Sequence, residues 1–218
     1  MLERILEPEV MDTVEEASDY DQMDHSLVNR TFVDDLIDAD CPDGLLLDLG
    51  TGTAQIPVEL CQRLPGLRVL AVDLAGYMLD IANVNVEAAS LSEAISLDQV
   101  DAKELPYDDD EFDAVISNSI VHHIPDPLLV LKEAVRVTRP EGMLFFRDLM
   151  RPDTQQELDE LVQQYAGEEV DHAQQMFRDS LHAALRVDEL ADMIQSLGFD
   201  RNGVAASSDR HWTWIARA

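Results

Sequence analysis

Apolar residues fall along the chain in two alternating kinds of run. Short unbroken runs bounded by Gly, Pro or acidic residues read as strands buried on both faces. Longer runs with apolar positions three and four apart read as helices packed on one side. Leu45-Leu46-Leu47-Asp48-Leu49 is the first such strand. It runs into Gly50-Thr51-Gly52-Thr53, where Thr53 is placed to cap a helix to about Leu64, with Pro57 tolerated in the first turn. Pro65-Gly66 turns the chain into a second strand over 67–73, and a helix follows over about 76–90. Residues 95–100 give a third, weaker strand, and 111–117 lead through a fourth. A helix over 126–137 ends at Arg139-Pro140-Glu141-Gly142, and 143–147 form a fifth strand.

Alternating β and α units of this length predict an α/β fold with a doubly wound, mostly parallel sheet. Two amphipathic helices precede it, one carried by Val10, Met11, Val14 and Ala17, the other by Ser26 to Ile37. Residues 153–197 read as a helical insertion after strand five, punctuated near Gly167. Val204-Ala205-Ala206 and Trp212-Thr213-Trp214-Ile215 supply an antiparallel C-terminal finish, with both tryptophans on an edge strand available as an interface. One domain is expected over 1–218: a helical cap (1–43), a core (44–150), a helical lid region (151–200) and a strand pair (201–218).

Composition sets the surroundings. The 218 residues carry 45 acidic against 15 basic side chains, a net charge of −30, and 46% of them are hydrophobic, enough for a real core. That charge opposes nucleic acid, which is bound by neutralising phosphates with Lys and Arg, and it opposes anionic membrane surfaces. Thirteen of the cations are Arg and only Lys103 and Lys132 are Lys, while Asp outnumbers Glu 28 to 17. The pattern fits an acidic proteome adapted to high intracellular salt, where counterions relieve self-repulsion. The N-terminus lacks a basic stretch followed by an apolar one, and no apolar run reaches membrane-spanning length, so a soluble cytoplasmic protein is expected. Cys41 and Cys61 stand in no metal-ligand spacing, and Asp108-Asp109-Asp110-Glu111 reads as a solvated loop, so no metal is expected.

The candidate chemistry starts at the glycine loop. A strand that opens into Gly50-Thr51-Gly52 and then a helix lets backbone approach a ligand closely. Asp73 ends the next strand, at the distance where a carboxylate reaches ribose hydroxyls in nucleotide-binding α/β folds. Asp101 ends the third. A dinucleotide fingerprint wants a third glycine where this chain has Gln55, and Asp48 would repel a pyrophosphate. A cationic ligand without phosphate suits these acids better.

With these motifs the sequence resembles the class I S-adenosylmethionine-dependent methyltransferases of the small-molecule methyltransferase-domain type, strongly over 45–142 and more loosely to the C-terminus. The resemblance implies a Rossmann-like sheet of seven strands and S-adenosylmethionine as cofactor. It implies that Asp48, Gly50, Thr51 and Gly52 wrap the methionine part and that Asp73 holds the ribose. Leu74 and Met78 would flank the adenine, Asp101 and Ala102 would read its amino group, and Asn118 and Ser119 belong to the fourth motif. Arg139-Pro140-Glu141-Gly142 resembles the family's Pro-Gly-Gly turn, with Glu141 where glycine is usual.

Methyl transfer is an in-line displacement that also needs a proton removed from most acceptors. His122 and His123 follow strand four and are the best-placed titratable groups, with loop packing as the competing role. Tyr20 and His25, ahead of the first motif, are candidates for contact with substrate or methionine, against helix capping and aromatic packing. Arg147 and Arg151 leave strand five and suit a substrate carboxylate, against internal pairing of Arg151 with Asp148 or Asp153. The expected activity is methyl transfer to a small molecule by a monomer or homodimer that binds neither nucleic acid nor membrane. The alternative is a regulatory protein that binds the cofactor without turnover; a nicotinamide oxidoreductase is disfavoured by the missing glycine.

Overall fold

The computed structural model describes residues 1–7, 12–22 and 26–218, apart from the side chains of Glu16, Asp19 and Gln22. Seven strands form one sheet: β1 (Leu45–Leu49), β2 (Arg68–Asp73), β3 (Ile95–Gln99), β4 (Phe112–Asn118), β5 (Thr138–Leu149), β6 (Val204–Ala206) and β7 (His211–Arg217). Their order is β3-β2-β1-β4-β5-β7-β6. β1 pairs in parallel with β2 and β4, β2 in parallel with β3, and β6 antiparallel to β7. This is the doubly wound sheet with an antiparallel finish that the alternation predicts. Among the described residues no helix is long and apolar enough to cross a membrane.

The chain folds as two compact units, each discontinuous in sequence. The larger takes in Val10–Asn118, Leu129–Phe146 and Ala216–Ala218. It holds α1 (Val14–Gln22), α2 (Ser26–Asp38), α3 (Gln55–Arg63), α4 (Gly76–Ala88) and most of α5 (Pro127–Val137) around the parallel strands. Leu46, Leu47 and Leu49 of β1 are fully buried, which is why that strand is apolar at consecutive positions. Phe32 of α2 meets Phe145 of β5 edge to face, ring centroids 5.1 Å apart, at the centre of this core. Val10 and Met11, read as part of the first helix, lie outside the described residues.

Two local expectations are corrected here. Thr53 does not cap α3. Ala54 occupies the cap position in a left-handed conformation (φ 60°), so the helix starts at Gln55 and the Thr53 hydroxyl is buried without a hydrogen bond. Arg139-Pro140-Glu141-Gly142 is not a turn ahead of the strand but part of β5. The Glu141 amide donates to the Ala218 carbonyl (2.8 Å) and the Ala218 amide to the Gly142 carbonyl (2.9 Å), so the chain's last residue draws the segment into the ladder.

The smaller unit comprises Met1–Glu9, Ser119–Leu128 and Arg147–Ile215. Its helices are α6 (Gln155–Ala166), α7 (Asp171–Ala183) and α8 (Val187–Ser196), with 3-10 turns at Val121–His123 and Arg201–Gly203. Thr154 and Glu157 close a capping box on α6. Leu149, Leu158, Leu161, Val162, Leu181 and Ala184 form its core, with Leu2 and Phe177 packed against them. Trp212 and Trp214 are wholly buried and β7 lies inside the sheet, so the expected tryptophan interface is absent; β6 is the outer strand.

Candidate active site

The glycine loop sits in the larger unit between β1 and α3. Gly50 (φ 70°) and Gly52 (φ 56°) both take the left-handed conformation that turns a strand sharply into a helix. Four of the loop's amides are already engaged. Those of Gly50 and Thr51 both donate to the Val72 carbonyl at 2.9 Å, and that of Ala54 donates to the Thr51 carbonyl at 3.0 Å. The Gly52 amide donates to Asp73 Oδ2 (2.8 Å), and the Ala75 amide to Asp73 Oδ1 (2.9 Å). A pyrophosphate cradle depends on amides free to point at the anion, so the loop is poorly suited to a dinucleotide. Asp73 keeps acceptor capacity on both oxygens beyond these two bonds, as ribose hydroxyls require.

Asp48 is the other acid here. It is buried, and burial, with the charge of Asp73 adding to it, pushes its carboxyl up to about 7. A buried carboxyl of that kind attracts a cationic ligand and has no use for an anion. Asp48, Gly50, Thr51, Asn118 and Tyr20 converge on one narrow cleft of about 20 Å³, with Tyr20 lying over Gly52. The sequence reading missed four residues of this cleft, Asn29, Thr53, Gln55 and Ile56. The Asn29 amide donates to Gln55 Oε1 (3.0 Å), and Gln55 Nε2 donates to Asp21 (3.2 Å). The available signal was Gln55 itself, in the place of the absent glycine. Leu74 is exposed and Met78 is buried against Ala17 and Ala75; Asp101, half-exposed, holds the Lys103 ammonium at 3.0 Å beside Ala102. The acids and glycines therefore fit S-adenosylmethionine, which carries cationic groups and no phosphate.

The histidine pair belongs to the smaller unit. His122 and His123 sit on the 3-10 turn, their rings 4.1 Å apart and tilted by 35°. His122 is buried, and its Nδ1 lies 2.5 Å from Oδ1 of fully buried Asp148. Asp148 also accepts from the amides of Val121 (2.6 Å), His122 (3.2 Å) and Leu149 (2.6 Å). Burial alone would lower the His122 imidazole, but the charge and hydrogen bond of Asp148 outweigh it and hold it above its ordinary value. Burial likewise opposes ionisation of Asp148, and the imidazole reverses that, keeping the carboxyl below the usual range. Glu7 Oε1 reaches His123 Nδ1 at 3.1 Å and His122 Nε2 at 3.5 Å. No sequence motif marks Glu7, and the sequence offers Asp148 only as a partner for Arg151.

Ser119, with φ 62°, starts this segment, its amide donating to the Arg147 carbonyl at 2.9 Å. The two arginines are buried. Arg147 donates from Nε to the Thr213 hydroxyl (2.9 Å). Arg151 pairs with Glu189 (2.5 Å) and donates to the Ala184 carbonyl (2.8 Å), so its partner is neither Asp148 nor Asp153. His25 lies outside the described residues.

A seven-stranded mixed sheet with an acid-lined glycine loop defines a Rossmann-like methyltransferase fold. Residues 47–146, a little under half of the chain, match the family described as methyltransferase domain. Over 107 residues it is 35% identical to a demethylmenaquinone methyltransferase of Lactobacillus johnsonii, covering 49% of this chain and 44% of that one. Over 105 residues it is 30% identical to 27-O-demethylrifamycin SV methyltransferase of Amycolatopsis mediterranei, covering 48% and 38%. The chain thus spans less than half the length of these relatives. The crystal structure of a S-adenosylmethionine-dependent methyltransferase from Aquifex aeolicus superposes with a TM-score of 0.71 at 16% identity, over 94% of this chain and 98% of that one.

Proposed function

We propose that this protein transfers the methyl group of S-adenosylmethionine to a small-molecule acceptor. The observation that carries the reading is the glycine loop: four of its amides are engaged, while Asp48 and Asp73 present acid to the ligand. When bound, the cofactor supplies an electrophilic methyl on a sulfonium. The protein's part is to hold it, align the acceptor and take a proton. His122 is the stronger candidate for that last task, because Asp148 fixes its Nδ1 and Nε2, faced by Glu7 at 3.5 Å, is the nitrogen that exchanges the proton. Relatives named for menaquinone and rifamycin substrates support a small-molecule acceptor. The strongly acidic surface supports a setting of high salt in the cytoplasm and argues against nucleic acid and anionic membranes.

The test is calorimetric titration in high KCl with S-adenosylhomocysteine, NAD and NADP in parallel. Tight binding of S-adenosylhomocysteine alone is expected; binding of NAD instead overturns the reading. Transfer of labelled methyl from S-adenosylmethionine into a metabolite extract then separates an enzyme from a cofactor-binding regulator.

A further inference from the structure

We infer that Glu7, His122 and His123 form a binding site for a divalent transition metal of the zinc class. These are the only grouping of three or more potential ligand residues found among the described residues, and their three ligand atoms all lie within 4.8 Å of one another. The spacing has the size of a coordination shell. Zinc bonds of 2.0–2.2 Å to nitrogen and oxygen give tetrahedral edges of roughly 3.2–3.5 Å. The two edges that run from Glu7 Oε1 measure 3.1 Å to His123 Nδ1 and 3.5 Å to His122 Nε2.

Three further features point the same way. Asp148 sits at the Nδ1 of His122, on the far side of the ring from Glu7, and this carboxylate–imidazole pairing is what orients metal-binding histidines and fixes their tautomer. Glu7 Oε2 accepts from the Ser180 hydroxyl (3.2 Å), while Oε1, buried and without a hydrogen bond, is aimed at the two imidazoles. The charge at the site is also favourable to a cation: the carboxylates of Glu7 and Asp148 bring two negative charges against the one positive charge of Arg4. Three protein ligands leave a fourth position for water or another small ligand. Two imidazole nitrogens and one carboxylate oxygen favour zinc, cobalt or nickel over magnesium or calcium, which take all-oxygen shells.

The N-terminal segment is pinned where the site needs it. Arg4 donates to the carbonyls of Ala183 (2.6 Å), Ile124 (3.0 Å) and His122 (3.2 Å), and the Ile5 amide donates to the His182 carbonyl (3.2 Å). Ligation uses the lone pairs of the imidazoles, so a bound ion and proton acceptance by His122 exclude each other. This inference does not rest on the methyl-transfer reading, and cofactor binding is measured separately.

The experiment is a titration of the chelator-treated full chain with Co²⁺ and with Zn²⁺, in high KCl with excess Mg²⁺ to occupy surface acids. One Co²⁺ per chain with the intense visible bands of a four-coordinate ion, displaced by Zn²⁺, is expected. Glu7→Gln and His123→Gln, checked for folding by circular dichroism, are each expected to weaken binding at least about tenfold, the lower end of what even outer-sphere partners contribute. Absence of stoichiometric binding by the folded parent overturns the inference, as does binding that Glu7→Gln leaves unchanged or that Mg²⁺ abolishes.

Discussion

At the scale of single residues, Asp48 has the most measurable consequences. Its native carboxyl keeps its proton up to about pH 7, whereas the unfolded chain loses it near 3.8. Between those values the native state binds more protons, so this group's contribution to stability falls as pH rises. Asp48→Asn is therefore expected to gain on the parent at pH 8, by roughly a few kcal/mol, and to approach parity near pH 4. Urea midpoints at the two pH values check this. A cationic ligand favours the ionised carboxyl, so S-adenosylmethionine binding at pH 7 should release protons from the parent and fewer from the variant. Calorimetry in buffers of different ionisation enthalpy reads that difference. Glu141 is the second case. It holds φ 66° where a glycine carries no penalty, so Glu141→Gly is expected to stabilise by up to about 1 kcal/mol. The glycine loop and the acid that ends β2, Asp73, were legible as structure because glycine spacing and strand-end acids are local signals. Glu7 and Asp148 were not, because tertiary packing alone brings them to the histidines.

At the scale of elements, the sequence gives the sheet readily and its edges poorly. Apolar runs locate β1, β2 and β4 closely, since each buries both faces. The start of β5 was missed because its partner is the far end of the chain, beyond any local window. A methyl group at Gly142 would lie 2.7 Å from both the Arg139 carbonyl oxygen and the Thr138 side chain. Gly142→Ala should therefore cost more than about 1 kcal/mol, as forced overpacking does, seen as a lowered thermal midpoint. Helix α1 carries Tyr20 across Gly52, above a cleft of about 20 Å³, too small for a nucleoside. With the cofactor placed in this cleft, the expectation is that this side chain shifts on binding. Tyr20→Ala is expected to speed S-adenosylhomocysteine association on the order of tenfold, if the open state is about a tenth populated. An unchanged stopped-flow rate would assign Tyr20 a packing role instead.

At the scale of the molecule, the net charge of −30 dominates. Screening shortens from about 10 Å at 0.1 M salt to about 3 Å at 1 M, and self-repulsion falls with it. The thermal midpoint should climb with KCl well past ordinary ionic strength, by about 2–4 °C for each kcal/mol recovered. A flat response would remove the salt-adaptation reading. The net charge is read from composition without any structure, whereas the division into two units was hidden, because each gathers segments from distant parts of the chain.

Both tryptophans, Trp212 and Trp214, lie on β7 in the smaller unit, wholly buried, with Phe199 edge-on to Trp214 at 5.4 Å. The larger unit contains no tryptophan. Indole emission is thus a built-in optical label for one unit only, blue-shifted and shielded from aqueous quenchers while that unit is intact. A denaturation curve followed by this emission describes the smaller unit alone. Overlaid on far-ultraviolet ellipticity, to which both units contribute, it shows whether the two melt together or in sequence.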